Sequence, residues 1–201
     1  MGAPVQKQPS GAGPAPARRM ARPAAERRLI GLTGTNAAGK GEVAAYLKTK
    51  GFEAFSLSDV IREHLRKRGL DVTRDNLIAA GNSLRRRYGA DILARRVMKK
   101  VTGRMVVDSI RNSREVAFLR RQKGFILVGV DAPAGLRYER TRRRGRAESA
   151  GTFEEFVKKE KQEMAGGTSG QQIRRCLDLA DVTIVNDGSL RALHRQIKER
   201  L

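Results

Sequence analysis

The sequence predicts an α/β protein in which a five-stranded parallel sheet lies between layers of helices, and three observations carry that expectation. Short apolar runs alternate along the chain with segments of helical period, the order that builds a parallel sheet covered on both faces. A glycine-bounded loop, Gly34 to Gly41, joins the first apolar run to the first helical segment. The length of 201 residues suits one α/β domain with a full core and is too short for two large ones. Residues 28–201 are read as that domain. Residues 1–27 are rich in Ala, Pro, Gly and Arg with no acid before Glu26, and read as a disordered basic tail.

Taken in order, Arg28 to Thr33 form the first strand and Glu42 to Lys48 the helix after the loop. Phe52 to Leu57 suggest a second strand, followed by a helix from Asp59 to Lys67 with Ser58 or Asp59 as its cap, ended by Gly69. Thr73 precedes a helix that sets Leu77, Ala80, Gly81, Leu84 and Tyr88 on one face, and Asp91 opens another with Ile92, Leu93 and Val97. Met105 to Val107 lead as a buried strand into Asp108, and Phe125 to Val130 lead into Asp131. Leu136 to Arg144 is helical. Thr152 and Glu155 make a capping box for a helix through Met164, and glycines 166, 167 and 170 break it. A helix from Gln171 to Leu179, the strand Val182 to Val185 and a last helix capped by Ser189 complete the chain.

The loop Gly34-Thr35-Asn36-Ala37-Ala38-Gly39-Lys40-Gly41 fits G-x-x-x-x-G-K in the strand, loop, helix context that the pattern requires. Glycines let successive N–H groups turn toward phosphate oxygens, the helix N-terminus adds partial positive charge, and Lys40 reaches the β and γ phosphates. Gly41 stands where a Ser or Thr hydroxyl usually meets magnesium, and the acidic Glu42 follows it. ATP with Mg2+ is therefore the expected cofactor, with metal ligation the weak point of the loop.

The formal charge of +21 admits three readings: a nucleic-acid partner on the basic surface, arginines closing over nucleotide phosphates, or arginines on solvated faces. Aromatic residues make up only 4% of the chain, which argues against stacking platforms for single strands. A mixture of the last two readings is favoured. The single Cys176 excludes an internal disulfide framework and any multi-cysteine zinc site, including that of a cytidine-type deaminase, and fits the reducing cytoplasm. No apolar run approaches the length of a membrane span.

The chain resembles the P-loop kinases of the nucleoside monophosphate kinase and dephospho-coenzyme A kinase group from about Arg28 to the C-terminus. Gly39-Lys40-Gly41 is similar to the loop ending of the monophosphate kinases, which also carry glycine after the lysine, although they usually continue with Thr where Glu42 stands. The run from Ala180 through Asn186, Asp187 and Gly188 to Leu190 resembles the closing strand and adenine-side turn of dephospho-coenzyme A kinases. Together with Ser58-Asp59-Val60-Ile61-Arg62 and Asp108-Ser109-Ile110-Arg111-Asn112, the composite is most similar to poorly characterised kinase-like proteins related to both. The resemblance implies a P-loop NTPase three-layer sandwich with a helical lid.

It also implies roles. Arg62 resembles the arginine that holds the acceptor phosphate, and Asp59 the aspartate near an attacking hydroxyl, where a base is useful; the plain alternative makes Asp59 a helix cap and Arg62 a solvated side chain. Asp108, at the end of an apolar strand, is placed like the acid that helps hold magnesium, against the alternative of a turn residue. Arg111, three residues on, is a second candidate for acceptor phosphate. Arg137, Arg140, Arg142, Arg143, Arg144 and Arg146 fall at the lid, where Arg140 and Arg144 share a helical face and are expected to point inward while the rest are solvated. Asn186 and Gly188 fall on the adenine side. His64 and His194 lack partner spacing for a metal, and Cys176 reads as a small buried residue. The expected activity is transfer of the γ-phosphate of ATP to a small nucleotide-like acceptor, a nucleoside monophosphate or a dephospho-coenzyme A type; the alternative is a nucleotide-responsive nucleic-acid-binding or regulatory protein without turnover.

Overall fold

The structure is a computed structural model and describes residues 28–100, 103–144 and 151–201. The expected basic tail, residues 1–27, and Arg146 of the arginine run lie outside the described residues. The strands are β1 (Leu29–Gly34), β2 (Glu53–Ser56), β3 (Met105–Ile110), β4 (Phe125–Asp131) and β5 (Val182–Val185). They pair in the order β2-β3-β1-β4-β5, every pair parallel. The helices are α1 (Lys40–Thr49), α2 (Leu57–Arg66), α3 (Arg74–Tyr88), α4 (Ile92–Met98), α5 (Ser113–Leu119), α6 (Ala134–Arg144), α7 (Phe153–Met164), α8 (Ile173–Asp178) and α9 (Leu190–Arg200).

Alternation along the strands divides the core in two. Leu29, Met105, Val107 and Leu127 face a cluster with Leu57, Ile61 and Leu65 of α2, Leu84, Leu93, Val116, Leu119 and Cys176. Ile30, Leu32, Val106, Val128 and Val130 face the opposite cluster, with Val43 and Leu47 of α1 and Leu193 and Ile197 of α9. Side chains two apart share a face of a strand, so one strand serves both layers. Because β1 sits between β3 and β4, the chain direction across the sheet reverses there, and the crevice at the carboxyl ends of β1 and β3 is where such sheets bind ligands.

Several boundaries differ from the sequence reading. Helix α2 starts at Leu57 with Ser56 as its cap residue, which makes no side-chain cap bond, so Ser58 and Asp59 stand in the first turn and neither is the cap. Asp108 lies inside β3 because the strand pairs on beyond it, with a register shift from Gly31↔Val107 to Thr33↔Ile110. Tyr88 ends α3 exposed, off the buried face that Gly81 and Leu84 share. Helix α5 was not expected. Its start is fixed by a capping box of Asn112 and Glu115, as that of α7 is by Thr152 and Glu155.

Candidate functional site

The loop between β1 and α1 is set by two glycines. Gly34 has φ +136, and a Cβ there would fall 1.9 Å from the Val130 carbonyl oxygen; Gly39 has φ +104, and a Cβ would meet Asn186 Nδ2 at 2.1 Å. Both positions need a residue without a side chain. Thr35 is buried and its hydroxyl donates to Asp131 Oδ1 at 2.6 Å, while Asn186 Nδ2 donates to the Ala38 carbonyl at 2.9 Å. Gly34, Thr35 and Ala38 thus shape the loop from behind, and Asn36, Ala37, Gly39, Lys40, Gly41 and Glu42 line the cleft in front of it. Lys40 is buried, and its Nζ donates to the carbonyl oxygens of Gly34 at 3.0 Å and Thr35 at 2.7 Å. Burial, then the charge of Arg111, lower its pKa to about 8, with Asp108 and Glu163 opposing.

The cleft, about 640 Å³, extends from the loop to the ends of β2 and β3. Asp59, Arg62, Asp108, Arg111 and Arg144 all line it, so these expected site residues are brought together. Asp108 accepts a bond from the N–H of Ser109, whose φ of +65 lies at the register shift. The hydroxyls of Ser56 and Ser58 are 2.8 Å apart, Ser56 donates to Ser109 Oγ at 3.1 Å, and Arg62 donates to Ser58 Oγ at 2.7 Å. Arg62 also pairs with Asp59 at 3.1 Å, and the Asp59 side chain is 70% exposed.

Four further residues named from the sequence do not line the cleft. Arg140 donates to the Asn186 carbonyl at 3.0 Å and does not line the cleft, so the expected inward pair reduces to Arg144. Asn186 braces the loop, and Gly188 lies in the turn before α9 with only Ala192 within reach of a Cβ. Arg137, expected to be solvated, is buried: it donates to the Ala132 carbonyl at 2.6 Å and to both oxygens of Glu160, tying α6 to α7.

The sequence reading missed the second layer of the site. Glu163 of α7 accepts from Arg74 Nε at 2.8 Å and from Arg111 at 2.9 Å, and Arg111 also donates to Gln171 Oε1 at 2.8 Å. Burial opposes its charge, but Arg111 and Arg74 outweigh burial and hold Glu163 below the usual carboxylate range. Beneath it, Glu115 takes two bonds from Arg85 on one oxygen and the N–H groups of Arg111 and Asn112 on the other. Asn112 Nδ2 reaches the carbonyls of Thr168 and Gly170, anchoring the glycine-rich segment to the start of α5. The only local signal of this layer is the Asn112, Glu115 box.

Among the described residues no group of three or more His, Cys, Asp or Glu side chains could hold a metal ion. Asp108 with the nearby serine hydroxyls is a donor set suited to a hard cation that arrives on nucleotide phosphates, since magnesium is commonly held by one or two carboxylates plus the phosphates themselves. Cys176 is fully buried, and burial pushes its thiol up to about 12, as a core residue requires. His194 packs on Tyr46 at 4.6 Å. No described helix is long and apolar enough to cross a membrane.

Comparison with known proteins places this geometry. The AAA domain family model matches residues 30–164. A UPF0200 protein of Pyrococcus abyssi is 34% identical over 85% of this chain and 93% of its own length, and one of Methanoculleus marisnigri is 33% identical over 87% and 95%. Among solved structures, the shikimate kinase of Aquifex aeolicus superposes with a TM-score of 0.54 at 13% identity, covering 85% of this chain and 94% of its own. TT1252 from Thermus thermophilus superposes at 0.52 with 21% identity, covering 87% and 96%. These likenesses show the fold, a P-loop kinase-like three-layer sandwich.

Proposed function

The chain belongs to the AAA domain family and to the UPF0200 proteins, and from that premise we propose that it is an ATP-dependent phosphotransferase acting on a small nucleotide-like acceptor. One observation carries the reading: the phosphate-type loop and Lys40 form one end of a cleft whose wall also includes Asp108, Arg62, Arg111 and Arg144. Lys40, released from the Gly34 and Thr35 carbonyls, takes the β and γ phosphates in their place. Arg144 balances charge on the transferring group, and Arg62 and Arg111 orient the acceptor. Asp108 would hold a magnesium ion brought with the nucleotide, and that ion would supply charge neutralisation on the phosphates. Positioning and fixed charge do most of the work in such transfers.

Asp59 is suited to take a proton from a hydroxyl acceptor, because it is exposed at the cleft and already oriented by Arg62. A phosphate acceptor needs no such base. ATP consumption with nucleoside monophosphates and with dephospho-coenzyme A, for the wild type and Lys40→Ala, tests the reading. The expected result is turnover with one acceptor class and its loss in Lys40→Ala; unchanged turnover in that variant refutes it. A protein that uses nucleotide as a signal and not as a substrate is favoured by Gly41, which offers no hydroxyl to the metal. Tight ATP binding with no turnover for any acceptor would select it.

A further inference from the structure

Arg74 belongs to the cleft wall and is only 7% exposed, yet its two terminal nitrogens, closed to solvent, have no hydrogen-bond partner. Its Nε alone is engaged, on Glu163, and the guanidinium lies over the Phe156 ring at 5.8 Å. Buried donors of this kind are normally satisfied, and a buried cation more strictly still. The charge count agrees. Arg74 and Arg111 share the single carboxylate Glu163, so the buried Arg74 and Glu163 with the half-buried Arg111 carry one net positive charge. The neighbouring Arg85 and Glu115, by contrast, form a one-to-one pair with both carboxylate oxygens used.

We propose that Arg74 is the anchor for an oxyanion carried by the acceptor, a carboxylate or a phosphate monoester, bound across its two free guanidinium nitrogens beside Arg111. The proposal rests on the phosphotransferase reading of the same cleft. The planar fork matches two oxygens of one anion, which a lysine cannot do. Glu163 then acts in two ways, holding Nε and Arg111 in register and limiting the affinity by competing with the ligand for the same charge. The acceptor is thereby restricted to anionic molecules, and neutral alcohols are excluded.

The full chain, saturated with a non-hydrolysable ATP analogue so that the loop is filled, is titrated calorimetrically with inorganic phosphate and separately with acetate. Arg74→Met keeps the stem over Phe156 and removes the fork. The wild type is expected to bind at least one anion, and Arg74→Met to bind it about tenfold or more weakly, the loss of a charge-assisted pair, while still binding the analogue. Glu163→Gln removes the competing charge and tightens the anion; if it does not fold, Arg74→Met alone decides. A purely structural tie between Arg74 and Glu163 lowers the melting temperature of both variants and moves neither affinity. The proposal is overturned if the wild type binds neither anion, or if Arg74→Met binds as the wild type does. The two arms separate phosphate from carboxylate. A wild type that fails to bind the analogue defeats the nucleotide reading instead, and the same anion titrations on the chain alone still decide for or against Arg74.

Discussion

Lys40 is the residue at which burial and the proposed function meet most directly. Its pKa of about 8 lies below the ordinary 10.5 because burial disfavours the charge. The folded chain therefore holds fewer protons on this group than the unfolded chain between those values, and unfolding takes up a proton there. Stability attributable to Lys40 is complete above 10.5 and is lost as pH falls through about 8, by about 3 kcal/mol at most. Urea unfolding of the wild type minus that of Lys40→Met should rise between pH 8 and 10; a difference that stays flat contradicts the burial. A bound phosphate acts the other way and restores the charge, so nucleotide binding at pH 9 should take up a proton, visible as a heat that depends on the buffer's ionisation enthalpy. That the lysine would stand at the head of the cleft was legible in its motif. That it would sit on the Gly34 and Thr35 carbonyls was not, because the pattern fixes spacing and leaves the side-chain path open.

At the scale of elements, caps were the most legible feature. Thr152 and Ser189 each accept the expected bond, and Thr73, read only as preceding its helix, accepts one as well, because a cap is a local contact between residues three apart in sequence. Helix α5 escaped notice for the opposite reason: it has only seven residues, too few for a helical period to show, and its cap side chains serve distant partners as well. Glu115 joins three elements, taking Arg85 from α3 and two N–H groups from the turn between β3 and α5. Glu115→Gln should therefore cost about 3–5 kcal/mol, since it strands the buried Arg85 charge. It should also weaken anion binding at Arg111. Denaturant unfolding measures the first effect, and a loss below about 1 kcal/mol, the size typical of exposed ion pairs, would show that the pair does not hold these elements together.

For the whole molecule, the order β2-β3-β1-β4-β5 collects into one cleft Lys40, read from its loop motif, Arg62, which the kinase resemblance implied, and Asp108 with Arg111, read from the end of an apolar strand. Arg74 and Glu163 could not, because they are 89 positions apart and meet only when α3 and α7 have packed. A ligand that holds the folded state alone adds stability by mass action, about 2.7 kcal/mol at a hundred times its dissociation constant. ATP should thus raise the melting temperature of the wild type and leave Lys40→Ala where it is, a comparison made by calorimetry. The bond from Asn186 to the Ala38 carbonyl spans 148 positions. It sets an order of events during synthesis: every amide of the phosphate loop has left the ribosome long before the side chain that braces it has been made. Nascent chains released before β5 should carry the complete motif and fail to retain nucleotide, so competence arrives with the last strand and not with the first.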